Sequence, residues 1–305
     1  MKTRHLVTLL LLSTILPIQN AQSLPPSLQA LKAPELMNWS NSTTGNWFTR
    51  ATTYNESDWH AWHEHIRQIG APKAGCFHVT YPSTVWNQTD CVPAPLIPFQ
   101  PSPATVEAVN PASPAKVGNG FDDVAYSSST LIGSSIGTFQ TSGLTSETDS
   151  NFGANAYTLQ LNSDLEFTCT TTYTGGKSSL CWEQFVFFNY PDNGVGLLFI
   201  QYWLINYYST YGSCPSTGPP GGSSWMESSG SCYANSPSTS TPLEAPTNLA
   251  NLSLEGFSNY NGAVNDVDML CITGGGCYSM TTTEQVVNLY QSWQYSEFNV
   301  FGAGN

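Results

Sequence analysis

Residues 178–208 read SSLCWEQFVFFNYPDNGVGLLFIQYWLINYY. Two aromatic-rich runs flank Asn193-Gly194, and Asn-Gly between alternating apolar residues signals a two-residue β-hairpin. With Asp192 opposite Val195, Glu183 lies across from Leu204 and Gln184 across from Trp203. Side chains alternate along a strand. Glu183, Phe185 and Phe187 therefore share one face, with Tyr202 and Asn206 close by, while Trp182, Gln184, Gln201 and Trp203 share the other. A slip of one residue would exchange the faces.

The acid in this hairpin poses a chemical question. A carboxylate buried without a partner is costly and its pKa rises, which is how a carboxyl becomes a general acid or base. On a solvent-facing sheet the same residue is ordinary surface. Gln160, in TLQLN, shares its face with Thr158 and Asn162, a polar row that suits either a ligand site or solvated surface.

Working outward, the chain from about Val117 is β-like, with runs rich in Val, Tyr, Phe and Thr broken by Gly, Ser and Asn. Strands are expected near 155–162, 181–188, 195–208, 249–257, 266–273 and 296–302, and a helix-compatible segment spans 282–293, capped by Thr282 or Thr283. Residues 117–305 are long enough to close one core as an all-β, antiparallel double-sheet β-sandwich of jelly-roll or lectin-like type.

Residues 24–116 differ. SDWHAWHEHIRQIG predicts a helix with Ser57 as N-cap, Trp59, Trp62, Ile66 and Ile69 at helical spacing, and Gly70 as the stop. A short loop from Cys76 to Cys91 follows, then the proline-rich run VPAPLIPFQPSPATVEAVNPASPA, which reads as extended linker. This part is expected to be a small helical pro-segment or cap. Residues 1–23 carry Lys2 and Arg4, an apolar run from Leu6 to Ile18, and then Ala21 and Ser23. That pattern is a secretory signal peptide, too short in its apolar run to span a bilayer, so the mature protein is expected outside the cell.

Eight cysteines in an oxidising compartment point to disulfides, and the chain has no C-x2-C pair of the kind metal sites use. Proximity pairs Cys76 with Cys91, Cys169 with Cys181, Cys214 with Cys232 and Cys271 with Cys277, one connectivity among many. The formal net charge is −13, and loss of Lys2 and Arg4 with the signal makes it about two units more negative. Nucleic acid and anionic membranes are therefore unsuitable partners. Only 10% of residues are charged, so Ser, Thr, Asn and Gln supply the polar surface, which suits acidic solution. Sequons stand at Asn38, Asn41, Asn55, Asn87 and Asn251.

WHAWHEHI lacks the H-E-x-x-H spacing, and His63 and His65 project about 200° apart on a helix. His60 and Glu64 form the i, i+4 pair, and the expected reading is an amphipathic helix with a histidine-rich outer face, not a metal site. Outside the signal the histidines are His60, His63, His65 and His78, all within 24–116, and there is no G-x-S-x-G. Acid–base chemistry in the β body thus falls to carboxylates: Glu147, Asp164, Glu166, Glu183, Glu255, Asp266, Asp268 and Glu297. Glu297 sits among aromatics in YSEFNV. No cofactor or metal is expected.

GANAYTLQLN, then Trp182, the Asn-Gly hairpin, FIQYWLINYY, Cys214 and Cys232-Tyr233 resemble the neprosin-type glutamic peptidases across roughly residues 150–235, with an echo in SEFNVFG. The Gln strand followed by a Trp-Glu strand is also similar to the fungal glutamic peptidases. The resemblance implies a β-sandwich made as a secreted precursor and acid-active cleavage of peptides, with proline-containing chains as one expected substrate. It further implies a glutamate, Glu183 or Glu297, as general base and Gln160 as the amide facing the oxyanion, with Trp182, Gln184, Gln201, Tyr202 and Trp203 contacting substrate. The family's first glutamate stands slightly before the shared Trp, where this chain has Ser178 to Cys181. The alternatives are a non-catalytic carbohydrate-binding sandwich using the same aromatic and amide side chains, and an extracellular structural or interaction protein. The sequence does not specify an oligomeric state.

Overall fold

The computed structural model describes residues 54–99, 123–139, 143–149, 151–163, 167–258, 265–282 and 286–302. The expected signal peptide, the proline-rich run beyond Phe99, Asp164, Glu166, Thr283, Asn38 and Asn41 lie outside them. One sheet runs β2 (Asn87–Thr89), β1 (Gly75–Thr80), β16 (Gly276–Thr281), β15 (Asp266–Ile272), β14 (Leu252–Ser258) and β4 (Ser134–Thr138). The other runs β11 (Met226–Ser228), β12 (Ser231–Asn235), β10 (Val195–Ile205), β9 (Ser179–Tyr190), β7 (Tyr157–Asn162), β17 (Tyr295–Gly302) and β3 (Asp123–Tyr126). It is widened by β13 (Thr239–Thr241) beside β10 and β8 (Phe167–Cys169) beside β9, while β5 (Thr148–Asp149) and β6 (Gly153–Ala154) pair separately. The strand pairings are antiparallel and the sheets stack face to face, so the protein is an all-β sandwich.

The central hairpin forms with its register two residues from expectation. Tyr190 pairs with Val195, which places Glu183 opposite Tyr202 and Gln184 opposite Gln201. Pro191–Asn193 form a 3-10 turn closed by Gly194 at φ 74°, so the loop consumes more residues than a two-residue turn. Because the shift is even, each side chain keeps the face that alternation assigned it.

Inward-facing Leu159, Leu161, Phe185, Phe187, Leu198, Ile200 and Leu204 of the larger sheet meet Leu254, Leu270, Ile272 and Met280 of the smaller. Burying each such side chain fully contributes about 1.5–3 kcal/mol. The sheets press together at Gly256, where an added Cβ would lie 2.4 Å from the Phe185 ring, and at Gly137, where it would lie 2.1 Å from the Phe298 ring.

Helix α1 (Glu56–Ile69) packs Trp59, Trp62 and Ile66 on Val79, Phe257, Val267 and Met269, the outer face of the smaller sheet. Its cap is Asn55, not Ser57: the Asn55 side chain accepts from the backbone N–H groups of Ser57 and Asp58. His63 lies on the buried stripe and not on a histidine-rich outer face, as its i+4 spacing from Trp59 allows. Strand β1 pairs with β16. The N-terminal piece is therefore built into the smaller sheet, and the composition change near 117 does not mark a boundary between separately packed units.

Residues 286–293, the described part of the 282–293 segment after Thr282, do not form the helix its pattern suggests. Asn288 is left-handed at φ 57°, a 3-10 turn covers Leu289–Gln291, and Val286, Val287, Leu289 and Trp293 are buried in the core. The four disulfides are Cys76–Cys91, Cys169–Cys181, Cys214–Cys232 and Cys271–Cys277. They account for all eight cysteines and fit export to an oxidising compartment. No helix among the described residues is long and apolar enough to cross a membrane.

Candidate functional site

The outer face of the larger sheet carries a belt of carboxamides. Register places Gln184 beside Gln201 on one side and Asn162 on the other. Gln201 is opposite Asn235, and Glu297 and Asn299 of β17 are opposite Asn162 and Gln160. These five strands thus line up Glu297, Asn299, Asn162, Gln160, Gln184, Gln201 and Asn235. Next to them Trp203 lies between Trp182 and Tyr233, with ring centroids 6.1 and 5.1 Å away.

Hydrogen bonds fix the belt. Gln184 Nε2 faces Gln160 Oε1 at 2.9 Å and Asn162 Oδ1 at 3.0 Å. Trp203 Nε1 donates to Gln184 Oε1 at 2.8 Å and stands 3.1 Å from Gln201 Oε1. Gln201 Nε2 reaches Asn235 Oδ1 at 2.9 Å, and Asn162 Nδ2 reaches Asn299 Oδ1 at 3.2 Å. Asn299 Nδ2 lies 3.4 Å from Glu297 Oε1. Such a network sets which way each amide points, because its carbonyl and NH2 ends have unlike neighbours.

Across this belt lies the start of the proline-rich run. Asn235 Nδ2 donates to Pro95 O at 2.7 Å, Tyr233 OH to Leu96 O at 3.2 Å, and Gln201 Nε2 to Ile97 O at 2.9 Å. Phe99 is held at both ends: its N–H donates to Gln201 Oε1 at 2.8 Å and its carbonyl accepts from Gln184 Nε2 at 3.1 Å. Gln184 therefore has three acceptors for two amide hydrogens. The segment is anchored at its start by a bridge between Val92 and Ser238 and by Cys91. Its Phe99 ring packs against Phe188 and Phe199. A groove of about 660 Å³ runs along it, lined by residues that include Leu96, Gly222, Ser224 and Met226.

The structure divides the sequence-derived site residues between two faces. Trp182, Gln184, Gln201 and Trp203 share the outer face with Gln160 and Glu297. Glu183 and Tyr202 point inward, into the space between the sheets, so they cannot act with Gln160 or Glu297 on one substrate. Gln160 does not meet the segment's carbonyls; its Nε2 donates to Thr158 Oγ1 at 3.0 Å, and its Oε1 orients Gln184. Asn235 and Asn299 were not singled out from sequence, Tyr233 was named only beside Cys232, and Asn162 only as a member of the polar row with Gln160. The signal for them was strand parity, since each shares a face with its cross-strand neighbour once the register is known.

Inward-facing Glu183 is fully buried near Asp266 and Asp268 of β15. Burial first, then the neighbouring acids, raises its pKa well above the carboxylate range. Burial also raises Asp268, against the opposing effect of backbone N–H groups from Val186, Met269 and Phe199. Glu255 faces the other way from the smaller sheet and meets α1. His63 Nε2 lies 2.7 Å from it and Arg67 Nε donates to it at 2.5 Å. Arg67 also bonds Glu64 at 2.9 Å, and His60 approaches Glu56 at 3.8 Å instead of Glu64. Among the described residues, His63 lies with Cys271 and Cys277 at metal-ligand range, but both sulfurs are spent in a disulfide.

Comparison with protein-family models, curated proteins and solved structures found no match to this chain.

Proposed function

We propose that the protein is a secreted precursor of an acid-active, glutamic-type endopeptidase whose cleft is the outer face of the larger sheet, with residues 93–99 lying in it. The observation that carries this reading is the treatment of that segment. Four of its backbone carbonyls are each met by a side-chain donor of the belt, the way an extended peptide would be held whatever its sequence.

In this reading Glu297 is the general base. Its carboxylate takes a proton from water as the water oxygen bonds to the scissile carbonyl carbon. The Gln184 amide, aimed by Gln160 and Asn162, donates to the carbonyl oxygen as charge develops there. Glu297 and Gln184 are separated by β7, so about 10 Å between strand axes leaves room for the water and the peptide. The disulfide pattern supports a removable N-terminal piece. Cys76–Cys91 lies within residues 54–99 and the other three bridges lie within 167–282, so one backbone cut between 100 and 122 severs every covalent link.

Cleavage of an unstructured, proline-containing protein from pH 2.5 to 7 tests the reading. Glu297→Gln should lower kcat/KM by about 10²–10⁴-fold with the fold retained; undiminished cleavage by that variant would overturn the assignment. The amide belt and the stacked Trp182, Trp203 and Tyr233 favour one second reading, non-catalytic binding of a carbohydrate. Sugar binding at neutral pH with no cleavage at any pH would select it.

A further inference from the structure

Glu183, Asp266 and Asp268 are fully buried and approach from facing sheets, Glu183 from β9 and the two aspartates from β15. Tyr202 of β10, opposite Glu183, adds a fourth titratable group, and Tyr173 in the loop after β8 acts on Tyr202. The remaining cross-strand neighbours bring no charge: Asp268 stands opposite Gly256 and Met280, and Asp266 opposite Ser258. Among the described residues no basic side chain acts on Glu183 or Asp268. Arg67 and His63 serve Glu255 on the other face of the smaller sheet.

Hydrogen bonds only partly replace the missing cation. Asp268 takes the Val186 N–H across the sheets at 3.0 Å through Oδ2, the backbone N–H groups of Met269 and Phe199 also favour its charged form, and its Oδ1 has no partner at hydrogen-bond geometry among the described residues. Neither oxygen of Glu183 meets an amide, hydroxyl or base there. The group that acts most strongly on Glu183, after burial itself, is the Asp266 carboxyl. Two carboxyls hydrogen-bond to each other only while one of them keeps a proton.

We propose that this buried acid cluster is a pH lock on the fold: the sheets stay packed while the cluster keeps its protons in acidic surroundings and come apart as those protons are lost toward neutral and alkaline pH. The direction follows from linkage. The folded chain holds Glu183 and Asp268 protonated where the unfolded chain has already released them, so stability is full below the ordinary carboxylate range and falls as pH climbs. Glu244, also buried and pushed up to about 8, adds to the fall in the same direction. The lock does not depend on what the outer face binds or cleaves. It makes the fold that supports any activity there most stable in acid media and progressively less stable toward neutral and alkaline ones.

The test is the thermal midpoint of the full chain from pH 3 to 9, with Glu183→Gln beside it. The wild-type midpoint should fall by about 10 °C or more between pH 4 and 8, and the variant, which cannot ionise at this position, should lose a clear part of that fall. If Glu183→Gln does not fold, Asp266→Asn takes its place. Independently, unfolding the wild-type protein in unbuffered denaturant at pH 7 should release about two or more protons per chain. A midpoint that holds or rises through this range, or release of one proton or fewer, which Glu244 alone supplies, would overturn the proposal.

Discussion

Glu255 is a fully buried carboxylate on β14 whose partners, His63 and Arg67, both come from α1. Taking one cation from a buried carboxylate leaves a charge without compensation, which costs about 3–5 kcal/mol when both groups are sealed. Arg67 keeps 22% of its side-chain surface exposed, so solvent offsets part of the loss. Arg67→Ala should therefore destabilise the chain by about 2 kcal/mol in denaturant unfolding at neutral pH. The sequence made α1 legible through Trp59, Trp62 and Ile66. It did not show that His63 would turn inward, because nothing local identifies a buried acid 192 residues away. Glu183 presents the same difficulty. Its place among aromatics was readable, but what it faces comes from β15 and was not.

At the scale of elements, the β9–β10 hairpin was readable from its aromatic alternation and Asn193-Gly194. Its exact register was not, because Pro191–Asn193 wind into a 3-10 turn that a two-residue loop would have excluded. Parity survived the error, so the outer-face grouping of Trp182, Gln184, Gln201 and Trp203 survived with it. The 282–293 segment failed in the opposite way. Its described apolar residues do face the core, but Asn288 is left-handed and Leu289–Gln291 form only a 3-10 turn. Where the sheets press together at Gly256, no space is left for a methyl group against Phe185. Gly256→Ala forces a core aromatic ring to move and should cost about 1–3 kcal/mol, measured as a lower denaturation midpoint with an unchanged slope. An unchanged midpoint would mean that the sheets separate more easily than their packing indicates.

The molecule as a whole is layered: helix α1, the smaller sheet, the larger sheet, and the strip of residues 93–99 over the carboxamide belt. Composition separated the N-terminal piece from the β body but missed that β1 completes the smaller sheet, since GCFHVT is too short to reveal its pairing with β16. The proline-rich run reads as a linker from its residues alone. Only the belt beneath it explains why its first part is held by Asn235, Tyr233, Gln201 and Gln184. The N-terminal piece is attached to the rest by the β1–β16 ladder, one apolar helix face, the ion pairs of Glu255, the Val92–Ser238 bridge and the belt's grip on residues 95–99, with no disulfide across the join. The measurement that bears most directly on the proposed cleft is a time course of the full chain with an unstructured protein at about pH 3, sampled for substrate cleavage and for the masses of the chain itself without reduction. Substrate cleavage should begin after a lag, and the lag should end as a cut between 100 and 122 frees the piece that carries residues 93–99. Full-rate cleavage from the first time point by an intact chain, with residues 93–99 still attached, would contradict a cleft filled by its own N-terminal segment.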